Sequence, residues 1–150
     1  MSWIARACAA AVAALAIASA SGCGFIEAGQ KSVQKPNTFI LLGHADVALP
    51  ASDHSTVGTT CTAPPQVHDI GPETPVTVRD GSGAKIATGV LGTGIVARSG
   101  STTSCAFPFQ VSAVPGGSNT YSVAVGSHPA QSFPASQLRQ NAPAVITISQ

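Results

Sequence analysis

The chain has 150 residues, 44% of them hydrophobic and only 9% charged, with a formal net charge of +1. That length suits one domain with a real core. Lys31, Lys35, Arg79, Lys85, Arg98 and Arg139 form no run along the sequence beyond the Lys31/Lys35 pair. The phosphate contacts of a nucleic-acid binder need a basic patch, so the composition excludes nucleic acid as a partner.

Residues 1–22 are unlike the rest. Met1–Arg6 carries one basic side chain, Arg6, and Ala7–Ala20 is almost wholly Ala, Val, Leu and Ile. A short positive region followed by an apolar one is the pattern of a signal peptide. The apolar stretch is shorter than the roughly 20 residues a spanning helix needs. Two cleavage sites compete. Ala18-Ser19-Ala20 fits the small-x-small rule of ordinary signal peptidase. Ala20-Ser21-Gly22-Cys23 resembles a bacterial lipobox, with Ala20 where Leu is commonest, and there the Cys23 thiol would receive a diacylglyceryl group. Cysteine arithmetic favours the second. Cys8 leaves with the signal, and a cut after Ala20 would leave an odd thiol. Acylation of Cys23 leaves Cys61 and Cys105, an even number free to pair in an oxidising space. The expectation is a lipid on Cys23, anchoring the chain to the outer face of the cytoplasmic membrane; secretion is the alternative.

Residues 23–37 read as a tether. The segment is polar and aperiodic, ends in Lys35-Pro36-Asn37, and could reach at most ~45 Å fully stretched. The domain is then 38–150. Thr38–Leu49 puts Phe39, Leu41, Gly43, Ala45, Val47 and Leu49 on one face and Ile40, Leu42, His44 and Asp46 on the other, which is a strand. Pro50–Gly71 reads as a long loop with a short strand near Val57–Cys61. Thr74–Asp80, the turn Asp80-Gly81-Ser82-Gly83 and Ala84–Leu91 form a hairpin. Gly92–Ser104 reads as a second loop. Cys105, Phe107, Phe109, Val111 and Ala113 share parity on the strongest core strand, where Pro108 implies an edge or a bulge. Tyr121, Val123 and Val125 face inward on the next strand. Ser132–Gln140 has room for one helical turn, and Ala144–Ser149 closes the domain with Val145, Ile146 and Ile148. The fold class is all-β: an antiparallel sandwich of six or seven strands, immunoglobulin-like or transthyretin-like.

Several motifs together resemble a small domain of secreted and membrane-anchored actinobacterial lipoproteins. They are Val76-Thr77-Val78-x-Asp80, Ile86-Ala87-Thr88-Gly89-x-Leu91, Cys105-x-Phe107-Pro108-Phe109, Val114-Pro115, and Tyr121-x-Val123-x-Val125, followed by Phe133 and Leu138. The resemblance covers roughly Thr38 to Ile148, and the Ala-rich signal is mycobacterial in style. It implies that Cys61, ahead of Asp69-Ile70, pairs with Cys105. The chain departs from the family at Pro64-Pro65-Gln66, where glycines are usual. The resemblance bears on fold and location and says nothing about chemistry.

Metal-capable side chains are His44, Asp46, Asp53, His54, His68 and Asp69, with His128 far off in sequence. None has the His-x-His, Cys-x-x-Cys or His-Glu-x-x-His spacing of a metal site, and Met1 is the only methionine. They read as surface residues of polar loops. No Gly-x-Ser-x-Gly elbow is present; Gly81-Ser82-Gly83 is a turn. Glu27 and Glu73 form no acid pair for glycoside cleavage. Gly92-x-Gly94-x-x-Ala97 lacks the helix and the acidic residue of a dinucleotide fingerprint. The expectation is a non-catalytic binding or structural module of the cell envelope with no cofactor and no metal. It would be attached to the membrane through lipid and contact an envelope protein or ligand through its two long loops. The rival is a metal-dependent or hydrolytic enzyme using His44, Asp46, His54 and His68.

Overall fold

Period-two alternation commits a strand to one buried face, and two such faces must be stacked to exclude water. The computed structural model describes residues 37–149, so the signal peptide, nearly all of the tether and Cys23 lie outside the described residues. Among the described residues there are nine strands: β1 (Thr38–Ala48), β2 (Thr60–Cys61), β3 (Pro75–Arg79), β4 (Lys85–Val90), β5 (Gly94–Ser99), β6 (Thr102–Pro115), β7 (Thr120–Val125), β8 (Gln131–Pro134) and β9 (Ala144–Ile148). A 3-10 turn covers Pro65–Val67, and one short helix, α1, covers Ala135–Arg139. The strands form a five-stranded sheet ordered β2-β5-β6-β1-β9 and a four-stranded sheet ordered β4-β3-β7-β8. The described residues therefore form an all-β sandwich with one helical turn.

The core lies between the two sheets. Leu41, Ala45 and Val47 of β1, Val76 and Val78 of β3, Cys105, Phe107 and Val111 of β6, and Val123 and Val125 of β7 are fully buried. Among the described residues no polar or charged residue is buried as a whole, Asp46 being half-buried. Hydrophobic burial alone drives the two sheets together, with no interior ion pair to desolvate. Tyr121 keeps its hydroxyl satisfied by donating to the Pro115 carbonyl at 2.9 Å, and its ring meets Phe39 edge-on with centroids 5.4 Å apart. Val67 and Ile70, in the otherwise irregular segment before β3, also enter the core.

Two expectations need correction. Gly92–Ser104 is no loop: β5 occupies Gly94–Ser99 and pairs with β6 from Ile95↔Ala106 to Ser99↔Thr102. Its inward positions are only Gly94 and Val96, too few to show as an apolar stripe. Ala113 does not face the core. Leu41 pairs with Val111 and Phe39 with Val114, so β6 carries one extra residue there, a β-bulge. Ala113 sits in the left-handed region at φ 55°, which lets Val111 and Val114 both point inward. The helical turn expected within Ser132–Gln140 is α1, and β8 (Gln131–Pro134) leads into it. On β9 the inward residues are Ala144, Ile146 and Ile148, while Val145 is exposed.

All pairings are antiparallel except β1 with β9, which is parallel. The segment 135–143, with α1, carries the chain from β8 in one sheet across to β9 in the other, so β9 runs in the same direction as β1. Gly43 is required at that seam. A Cβ there would collide with the Ala144 carbonyl and the Phe109 ring. Pro108 lies on an inner strand yet breaks no ladder bond. Its carbonyl accepts from Gly92 N–H at 2.7 Å, so its backbone faces away from β1, past the point where the pairing with β5 has ended.

Candidate functional site

The cystine joins Cys61 of β2 to Cys105 of β6, with Cα atoms 5.9 Å apart. β2 has only two backbone pairs, Thr60↔Ile95 and Cys61↔Gly94, so the cystine is what holds this strand to the sheet. Gly94 makes room for it: a Cβ would lie 2.7 Å from Cys105 Sγ and 2.9 Å from the Cys61 carbonyl oxygen.

The titratable side chains proposed from sequence as a cluster stay apart. His44 and Asp46 do share the outer face of β1, with Nε2 and Oδ2 3.5 Å apart. Burial pushes the Asp46 carboxyl above its ordinary value, and the neighbouring His44 only partly offsets this. Asp46 Oδ1 is buried with no hydrogen-bond partner among the described residues, although Thr147 stands opposite it on β9. His54 lies elsewhere, lining an open hollow of about 530 Å³ with Asp53, Arg98 and Thr103. His68 donates through Nδ1 to the Pro65 carbonyl at 3.2 Å. Among the described residues no group of three or more His, Cys, Asp or Glu stands close enough to hold a metal ion.

Asp53 accepts from Ser55 N–H at 2.7 Å, and the Ser55 side chain and backbone hold its carboxyl below the ordinary range. Asp80 accepts from the Ser82 hydroxyl at 2.6 Å, Ser82 N–H at 2.9 Å and Ala84 N–H at 3.0 Å, with the same consequence. Each of these carboxylates fixes the turn that carries it.

One pair was not legible in the sequence. His128 Nε2 donates to Asp69 Oδ2 at 3.1 Å, and the Ser127 hydroxyl reaches the same oxygen at 3.3 Å. Burial lifts the Asp69 carboxyl, but the hydrogen bond and charge of His128, with its own backbone and Ser127, outweigh it and leave the carboxyl lowered. The residue types are those of a hydrolase triad, but the geometry is not. Ser127 and His128 both point at the carboxylate, so the hydroxyl has no base to activate it. The signal that would have found this pair is topological: β3 pairs with β7 from Val76↔Val125, which sets the loops before β3 and after β7 side by side.

The outer face of the five-stranded sheet shows Ile40, Leu42 and Val145 to solvent, and Val90 of β4 stands over an open groove with Leu42, Pro108 and Pro143. Fold and site together define a cystine-stapled β-sandwich whose Asp53 and Asp80 carboxylates fix their own turns. No protein-family model, curated protein or solved structure matches the chain.

Proposed function

We propose that this is an exported protein, held at the outer face of the cytoplasmic membrane by lipid on Cys23, whose sandwich acts as a non-catalytic binding or structural module. Its resemblance to the small domain of actinobacterial lipoproteins belongs to the same proposal. The observation that carries it is the cystine Cys61–Cys105. Structural disulfides persist in oxidising, extracytoplasmic spaces, and this pairing leaves Cys23 as the odd cysteine behind the signal, free for acylation. The engagement of the carboxylates supports the non-catalytic part: Asp53 and Asp80 are held low by hydrogen bonds within their own turns, and Asp69 by His128 and Ser127, and such carboxylates are poor proton carriers at neutral pH. Cell fractionation tests the reading. Wild-type protein belongs in the membrane fraction and Cys23→Ala in the soluble or unprocessed one; wild-type protein found soluble would overturn the anchor.

A further inference from the structure

We propose that the end of the sandwich at which the chain enters is a docking surface for the anionic headgroups of a phospholipid bilayer. The inference rests on the reading that the protein is held at a membrane, and it assigns that membrane a second, electrostatic contact.

The chain enters at Asn37, whose carbonyl accepts from Gly116 N–H at 2.6 Å in the turn between β6 and β7. The β3–β4 turn lies against this one, with Gly81 N–H donating to Ser118 Oγ at 3.0 Å. Arg139, at the end of α1, donates through Nη2 to the Ser118 carbonyl at 3.3 Å. Arg79 donates through Nη1 to the Gly83 carbonyl at 3.0 Å and pairs across the hairpin with Lys85. Three exposed cations, Arg79, Lys85 and Arg139, are thereby gathered around the point of chain entry, although the sequence scatters them over sixty positions.

One carboxylate shares that end, Asp80, and it is turned into its own turn by three hydrogen bonds. The other described carboxylates lie away from it. Glu73 and Asp69 precede β3, at the end opposite Arg79; Asp46 lies late in β1 and Asp53 beyond it. The domain is thus polarised, net positive at the entry and net negative elsewhere, where Arg98 is the one cationic Lys or Arg among the described residues. An anionic leaflet attracts cations that come within a Debye length of it. A short chain segment between lipid and domain keeps this end near the surface at high effective concentration. The turns carry Gly81, Gly83, Gly116 and Gly117 and no large apolar side chain, so the contact is electrostatic, without insertion into the acyl region.

The test uses the full mature chain with Cys23→Ser, so that no lipid is attached, and sedimentation with vesicles of phosphatidylcholine alone or with about 30% phosphatidylglycerol. Binding is expected only to the anionic vesicles, and it should weaken as salt rises. Arg79→Gln/Lys85→Gln/Arg139→Gln should lower the affinity about tenfold or more, while Arg98→Gln, away from this end, leaves it unchanged. If the triple variant unfolds, Lys85→Glu, which keeps the hydrogen bonds of Arg79 and Arg139, should still weaken binding several-fold. Equal binding to neutral vesicles, unaltered binding by Lys85→Glu, an equal loss in Arg98→Gln, or preference for an oligonucleotide over vesicles would each overturn the proposal. Because no lipid is attached, such a failure leaves the acylation of Cys23 standing or falling on its own test.

Discussion

Opening the Cys61–Cys105 bond is expected to cost a large share of the stability of this domain. The bond closes a loop with a sequence separation of 44. On the chain-entropy relation, releasing a loop of that size gives the unfolded state about 4 kcal/mol. Domains of this kind carry only about 5–15 kcal/mol in total. The folded side offers little compensation. Apart from its two pairs with β5, β2 is backed only by Gly58 N–H to the Val96 carbonyl at 2.9 Å and Val96 N–H to the Thr59 carbonyl at 2.8 Å. Urea unfolding of the mature chain, with and without reductant, reads the effect through the fluorescence of Tyr121, the sole tyrosine. With a urea slope of about 2 kcal/mol/M, the midpoint should fall by about 2 M. Cys61→Ala/Cys105→Ala should fall at least as far, since Cys105 is fully buried and its sulfur also fills space. A fall of less than about 0.5 M at unchanged slope would refute the reasoning, because the unfolded chain would then gain almost no freedom.

Asp46→Asn should be more stable than wild type at neutral pH. Burial raises the folded-state value of this carboxyl above 3.8, so the unfolded chain gives up the proton first and stability falls as pH rises through the folded value. The difference should shrink below the ordinary carboxylate value, as pH-dependent thermal melts would record; a gap independent of pH would contradict the assignment. Asp53, Asp69 and Asp80 act in the opposite sense. Their lowered values stabilise the fold above 3.8, and that contribution should be lost as pH falls through the folded values. Ala113→Gly should stabilise by roughly 0.5–1 kcal/mol by relieving a left-handed alanine, and urea unfolding that shows a loss would place the bulge elsewhere. Tyr121→Phe should cost about 1 kcal/mol for the bond to Pro115, read the same way through circular dichroism.

β1, β3, β6 and β7 were legible because each buries one face and alternates cleanly, and Asp80-Gly81-Ser82-Gly83 names its own turn. β5 was not, since glycine and the neighbouring cystine take the place of the large side chains that mark a core strand. The parity of β6 misled at Ala113 because a bulge changes the face without changing the residue type. On β9 the inward residue beside Gly43 is Ala144, whose side chain is too small to announce the buried face. The functional readings depended even more on topology. His44 and Asp46 meet because they sit two apart on one strand. Asp69 meets His128, and Arg79 comes beside Arg139, only because β3–β7 pairing and the contact of two turns bring distant segments together.

The most direct test of the account is the intact mass and N-terminal peptide of the protein purified from the producing cells. The account predicts a chain that begins at Cys23, carries a diacylglyceryl group on its sulfur, and contains Cys61 and Cys105 oxidised to each other. A chain that begins at Ser21 without lipid, or one that retains Met1–Gly22, would contradict it.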